Sequence, residues 1–268
     1  MRHADVDDVV ALDVIDLATA GVIDAGDAWI ELFGSGDGET SEGQVLASSG
    51  RAVYVETGGT VLALVSASAP PGPIHLRVDT LLHPAPGRRV RLDGQLRVSA
   101  LWRPPALDVD VLRRHADAAR RSLTETASGL AGHPAVADAE SAVGRGDLPA
   151  AVGALAGLGP GLTPSGDDVL GGLLVVLAVA GHDGRELRRA VDGAPTHAIS
   201  CAFLTWAARG QAVEPVHRLL DALAASDPAA VRRHQEAVLA LGHTSGADLL
   251  LGLRVGLGAL VSRPAPTR

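Results

Sequence analysis

The chain contains no lysine and no asparagine; all 23 of its basic side chains are arginine. Without lysine there is no Walker-type phosphate lysine, no Schiff-base lysine and no lysine general base. Without asparagine, N-glycosylation is excluded and side-chain helix caps fall to Ser, Thr, Asp and Gly. Aromatic residues make up only 2% of the sequence, against 47% apolar residues in all. The core therefore rests on Ala, Val and Leu, and the scarcity of aromatics argues against a base-stacking platform for single-stranded nucleic acid. The net charge of −8 argues further against nucleic acid or an anionic membrane as partner, since both reward a basic surface. One cysteine, Cys201, permits neither an internal disulfide nor a multi-cysteine zinc site, and in the apolar stretch Ile199 to Trp206 it reads as a small buried hydrophobe. Long hydrophobic runs are missing too. The longest uncharged one, Val169 to Gly181, falls short of the ~20 residues a bilayer requires. The first thirty residues are acidic and lack a basic-then-apolar signal pattern, so a cytoplasmic location is expected.

What is present falls into two regimes. Residues 1–105 read as a small antiparallel β domain, a sheet or partly closed barrel. Ala28 to Phe33 is a short apolar run before a Gly/Ser/Asp-rich loop, Gly34 to Glu42. Arg51 to Glu56 and Val61 to Ala67 flank Thr57-Gly58-Gly59-Thr60, a hairpin signal. Asp93-Gly94, between Val90 to Leu92 and Gln95 to Val98, gives a second. Arg89, Arg91, Arg97 and Arg103 would form a basic rim. After Arg103-Pro104-Pro105 the period turns helical, and residues 106–262 read as a multi-helix domain, making the fold class α+β. Helices are expected from about Val109, Pro134 and Ala151, then over Asp167 to Ala180, His197 to Ala208, Val216 to Ala224, Pro228 to Ala240 and Gly246 to Val261. Gly210 and Gly242 stand where C-caps belong. Arg145-Gly146-Asp147 is read as a turn, and residues 263–268 as a flexible tail.

The most informative segment runs from Gly157 through Gly159, Gly161, Thr163, Ser165, Gly166 and Asp167 to Asp168, directly before an apolar helix. Ser165 is expected as N-cap, with Asp168 three residues on completing a capping box. A cap alone does not require so many glycines and prolines; their excess indicates tight packing or close approach of backbone to a ligand. Eighty residues on, the pattern returns as Gly242-His243-Thr244-Ser245-Gly246-Ala247-Asp248, and Gly172 and Gly252 follow in the same phase. Two such helices packed side by side and parallel would bring both N-termini to one rim, a place for a carboxylate or phosphate. The acids leave three alternatives open. They could act as caps, face a ligand's amide or ammonium group, or hold Mg²⁺ together with Asp167. His243 is either a general base or a surface residue, and Thr196 and Ser200, four apart, share a helical face.

The string Gly159-Pro160-Gly161-Leu162-Thr163-Pro164-Ser165-Gly166-Asp167-Asp168 resembles the signature of the AllH-like family, a former domain of unknown function. The resemblance continues through Thr196 to Ser200, Ala207 to Gly210 and Gly242 to Asp248. Gly43 to Val65 resembles the family's strand-and-hairpin pattern, with Ala47-Ser48 in place of a His-Ser and Tyr54 in place of an Asn. The family's named member is a subunit of oxamate carbamoyltransferase in anaerobic allantoin degradation, a route of purine catabolism. The resemblance implies transfer of a carbamoyl group between carbamoyl phosphate and oxamate, carried out with other protein subunits. The implied partners are a small anionic substrate and those subunits, with neither nucleic acid nor membrane, and no cofactor is implied. The candidate substrate-binding residues are Gly159, Gly161, Thr163, Ser165, Gly166, Asp167, Asp168, Ser200, His243, Thr244, Ser245, Gly246 and Asp248. Two other readings are a non-catalytic scaffold whose glycine-rich loop docks a partner, and a magnesium-dependent helical hydrolase.

Overall fold

The computed structural model describes residues 12–17, 19–33, 40–93, 100–123 and 128–262. Its contacts divide the chain into two compact units, Met1–Trp102 and Arg103–Arg268. The architecture is α+β: a strand-rich unit followed by a helical one.

The first unit holds a seven-stranded curled sheet of β1 (Asp13–Asp16), β2 (Val22–Ala25), β3 (Ser41–Ser48), β4 (Ala52–Thr57), β5 (Thr60–Ser66), β6 (His75–Val78) and β7 (Arg89–Asp93). The strand order is β1-β7-β3-β4-β5-β6-β2. The sheet is mixed: β1 pairs with β7 and β5 with β6 in parallel, and the other pairs are antiparallel. The β4–β5 hairpin turns at Gly58 and Gly59, whose φ of 56° and 75° is what a two-residue type I′ loop demands. Gly94 and Gln95 to Val98, the expected second arm of that hairpin, lie outside the described residues; β7 itself is paired on both edges, with β1 and β3. Ala28 to Phe33 is not a strand but most of helix α1 (Asp27–Phe33). Trp29 and Phe33, four apart and so on one helical face, stack at 5.6 Å, and the Trp29 indole donates to the Ile74 carbonyl at 2.8 Å. Two arginines of the expected basic rim stand beside acids: Arg89 pairs with Glu42 at 2.8 Å and Arg91 lies 3.7 Å from Asp93. Arg97, and most of the loop Gly34 to Glu42, lie outside the described residues, as does the tail 263–268.

The second unit consists of α2 (Val109–Ser122), α3 (Pro134–Arg145), α4 (Leu148–Leu155), α5 (Ser165–Val179), α6 (Gly184–Val191), α7 (Ala198–Ala207), α8 (Glu214–Ala225), α9 (Pro228–Leu239) and α10 (Ser245–Ser262). Arg145-Gly146-Asp147 is a turn: Gly146 is the left-handed C-cap of α3 (φ 78°), and Asp147 caps α4 through the Ala150 amide. The same corner recurs between α8 and α9, with Ser226 (φ 54°) as the left-handed cap and Asp227 as the N-cap. Its hydrogen bonds match one for one. Gly146 and Asp147 donate to Val143 and Ala142, and Ser226 and Asp227 donate to Leu223 and Ala222.

The motif repeat is thus one part of a larger one. Shifting by the interval from Ser165 to Ser245 carries the α3 span onto that of α8, and α4 and α5 onto α9 and α10 at their first residues. α9 runs one turn beyond the counterpart of Leu155, so its link to α10 is short. α4 stops early, and the saved residues form the glycine- and proline-rich loop before α5. α10 is the one described helix long and apolar enough to cross a membrane, and half of it is buried within this unit, which suits a core helix equally.

Candidate functional site

α5 and α10 touch backbone to backbone. A Cβ on Gly172 would overlap the Leu249 carbonyl and lie 2.7 Å from the Leu253 amide nitrogen. A Cβ on Gly252 would overlap the Val169 carbonyl and lie 3.0 Å from the Leu173 amide nitrogen. Further along, Gly256 faces Val176 and Leu173. Because contacts advance in the same direction on both helices, the pair is parallel and the two starts lie together. Thr163 Oγ1 stands 3.5 Å from Ser245 Oγ, and Ser245 donates from the start of α10 to the Asp168 carboxylate.

The glycines at position two of each helix seat these starts on the preceding helices. A Cβ on Gly166 would overlap the Leu155 carbonyl at the end of α4, and one on Gly246 the Val238 carbonyl at the end of α9. The Gly166 amide donates to Leu158 and the Gly246 amide to Leu241. Gly159 (φ 113°) and Gly161 (φ 100°) take backbone conformations that L side chains avoid, turning the loop back on itself above Ser165.

Capping differs from the expected scheme. α5 begins at Ser165, its N-cap is Pro164, and no side chain caps it. The Pro164 carbonyl takes the amides of Asp167 and Asp168; the Thr244 carbonyl takes those of Ala247 and Asp248. Ser165 therefore lies inside the helix, and Asp168, one turn in, bonds across to the other helix instead of closing a box. The first-turn amides are thus largely engaged, and what each start offers an anion is chiefly its dipole.

The three acids have separate surroundings. Asp167 is buried and spends both oxygens, one on the Gly157 amide at 2.8 Å and one on the Thr196 hydroxyl, which pins the glycine loop. Asp248 is 0% exposed; Ser128 donates to its Oδ1 at 2.5 Å, and its Oδ2 has no partner among the described residues. Asp168 is half-buried, and its Oδ2 is buried and likewise without a partner. Desolvation pushes its pKa up to about 7, against the pull of the Ser245 hydrogen bond and with help from the charges of Asp248 and Asp167. Each unbonded carboxylate oxygen thus belongs to the first turn of its helix, and the segments leading into those helices hold exposed His243, Thr244 and Gly161 and half-buried Thr163.

Of the other candidates, Ser200 is buried and donates to the Leu162 carbonyl at 3.3 Å, holding the loop's far side. Thr196 and Ser200 do not share a helical face, because α7 begins only at Ala198. Ser128 was not anticipated: it sits about thirty residues before the motif among other hydroxyls, and no spacing marks it. Among the described residues no three His, Cys, Asp or Glu side chains gather as a metal's ligand set, and both Asp167 oxygens already have donors. A cavity of about 620 Å³, lined by Arg120, His133, Glu140, Leu250 and Arg254 among others, includes none of the candidate residues.

Residues 155–257 match the family model of the oxamate carbamoyltransferase subunit AllH. The matched stretch opens at the end of α4 and closes within α10, so it spans both helix starts and the loop pinned by Asp167. No solved structure matches the chain.

Proposed function

From that match as premise, we propose that the chain is a subunit of a carbamoyltransferase and binds its small substrate at the paired starts of α5 and α10. The substrate class is a small anionic carboxylate bearing an amide, such as oxamate, or carbamoyl phosphate. One observation carries the reading: the family match includes both helix starts, where two parallel helices bring hydroxyls, dipole ends and unbonded carboxylate oxygens together.

The chemistry suits such a place. Each helix N-terminus contributes roughly half a positive charge, which favours the carboxylate or phosphate end of the ligand. Thr163 supplies a hydroxyl donor at the rim, beside the Ser245 hydroxyl that is engaged with Asp168. The carboxylates beneath repel an anion and accept from N–H groups, so a ligand carrying both an anionic and an amide end is oriented by the site. In the transfer itself the oxamate nitrogen attacks the carbamoyl carbon, the carbon–oxygen bond to phosphate breaks, and phosphate leaves with the electron pair. The proton shed by nitrogen needs an acceptor, and the Asp168 carboxylate can take one near neutral pH. No covalent nucleophile is required, and catalysis rests on positioning and electrostatics.

The assay is co-expression with the neighbouring genes, purification through a tag on this chain, and measurement of oxalurate formed from carbamoyl phosphate and oxamate. Activity in the complex that is absent from the isolated chain supports the subunit reading. Full turnover by the single chain refutes it, and an intact complex inert on both compounds refutes the substrate assignment.

A further inference from the structure

The two unbonded oxygens of the site have opposite chemistry to the helix ends around them. Asp248 is wholly buried, one turn into α10, and its Oδ2 has no donor among the described residues. Leaving a buried carboxylate oxygen unsatisfied is costly, since it forfeits the hydrogen bonds water would have given it. Its other oxygen is held by Ser128, which fixes the carboxylate plane. Asp168 repeats the arrangement from α5: Ser245 donates to it, while Oδ2 is buried and open. The two groups are near enough for their charges to interact. Hydroxyls thus occupy one side of each carboxylate and leave one acceptor on each unfilled.

We propose that Asp168 and Asp248 together form a receptor for a primary amide, their open Oδ2 atoms accepting the two N–H bonds of one –NH₂ group. The inference rests on the substrate site proposed above and specifies which end of the ligand goes inward. A neutral –NH₂ presents two donors, matching two acceptors supplied by side chains that are already oriented. Asp168 accepts its bond in the ionised form, so the amide competes with the proton that burial lets this carboxyl keep near pH 7. An anion alone gains nothing from these oxygens.

Oxamate and pyruvate test this directly, because they differ in an –NH₂ against a –CH₃ on the same keto-acid skeleton. Calorimetric titration is done on the full chain and on the complex with its partner subunits. Oxamate should bind about tenfold or more tighter than pyruvate, the factor expected from hydrogen bonds to charged, buried acceptors. In Asp248→Asn the carbonyl oxygen of the new side chain stays with Ser128 and its –NH₂ takes the place of Oδ2, setting donor against donor; the preference should fall to near unity. Asp168→Asn should reduce it likewise. Equal affinity for the two ligands in wild type overturns the inference and means that the oxygens satisfy each other through a shared proton. So does a preference that survives both substitutions, or no oxamate binding in either preparation. The wild-type ratio needs no variant to fold. Carbamoyl transfer with equal affinities sinks this inference alone, whereas amide preference without carbamoyl transfer sinks the enzymatic reading and leaves the receptor.

Discussion

Gly172 of α5 and Gly252 of α10 meet so closely that a Cβ on either would overlap a carbonyl of the opposing helix, Leu249 in one case and Val169 in the other. The neighbouring Gly171 is different, since its Cβ would find only Leu249 Cδ2 at 3.6 Å. Gly172→Ala and Gly252→Ala should each lower stability by ~1–3 kcal/mol or more through forced separation of the helices. Gly171→Ala should be neutral or stabilising by up to ~1 kcal/mol from helix propensity. Thermal melts of the three variants decide, and equal effects at Gly171 and Gly172 would contradict the close-packed pair.

Asp168 should make stability depend on pH. Its folded pKa is raised to about 7 from the ordinary 3.8, so the folded protein binds the proton more tightly than the unfolded chain. The associated stability is fully present below about pH 4, is lost as pH rises through about 7, and changes little above that. Asp168→Asn removes the ionisation. The variant should melt higher than wild type at pH 8, by on the order of a few kcal/mol at most, while the advantage shrinks at pH 4. Melting curves across that range that stay parallel would contradict the assignment.

The Asp167 carboxylate should be structural. Asp167→Ala strands the Gly157 amide and frees the Thr196 hydroxyl, so a loss of ~1–3 kcal/mol is expected, with faster proteolysis of the 157–164 loop. Thr196→Val should cost less, since one of the two anchors persists. A variant with wild-type stability would show that the loop is held elsewhere.

The corner between α8 and α9 carries Ser226 at a φ of 54°, where its counterpart in the first repeat is Gly146. Ser226→Gly should stabilise by about 1 kcal/mol, and Gly146→Ser should destabilise by a similar amount. Denaturant midpoints test both, and equal signs would contradict the equivalence of the two corners.

These residues also show what a reader of the sequence can recover. The second helix start was legible because backbone contact at Gly166, Gly246, Gly172 and Gly252 tolerates no side chain, so the constraint is written in the residues. The rest of the repeat survives in a few scattered identities, Val136 and Val216, Ala142 and Ala222, Asp147 and Asp227, Ala150 and Ala230, too little to mark a duplication of three helices. α6 was missed because its buried residues are only Leu187 and Val191, scarcely a pattern. The expected cap at Ser165 failed for a local reason: Pro164, with ψ near 144°, lets the helix start one residue sooner, and its carbonyl takes the amides. Trp29 and Phe33 read as a strand run because a helix of seven residues shows fewer than two periods. Ser128 meets Asp248 only in three dimensions.

The most direct test is a crystal structure of the full chain, with the subunits that co-purify with it, soaked with oxamate. The account predicts density between the starts of α5 and α10, touching Thr163, Ser245 and Asp168, in a chain whose α5–α10 contact is unchanged. Density instead in the cavity lined by Arg120, His133, Glu140 and Arg254, with the helix starts empty, would contradict it.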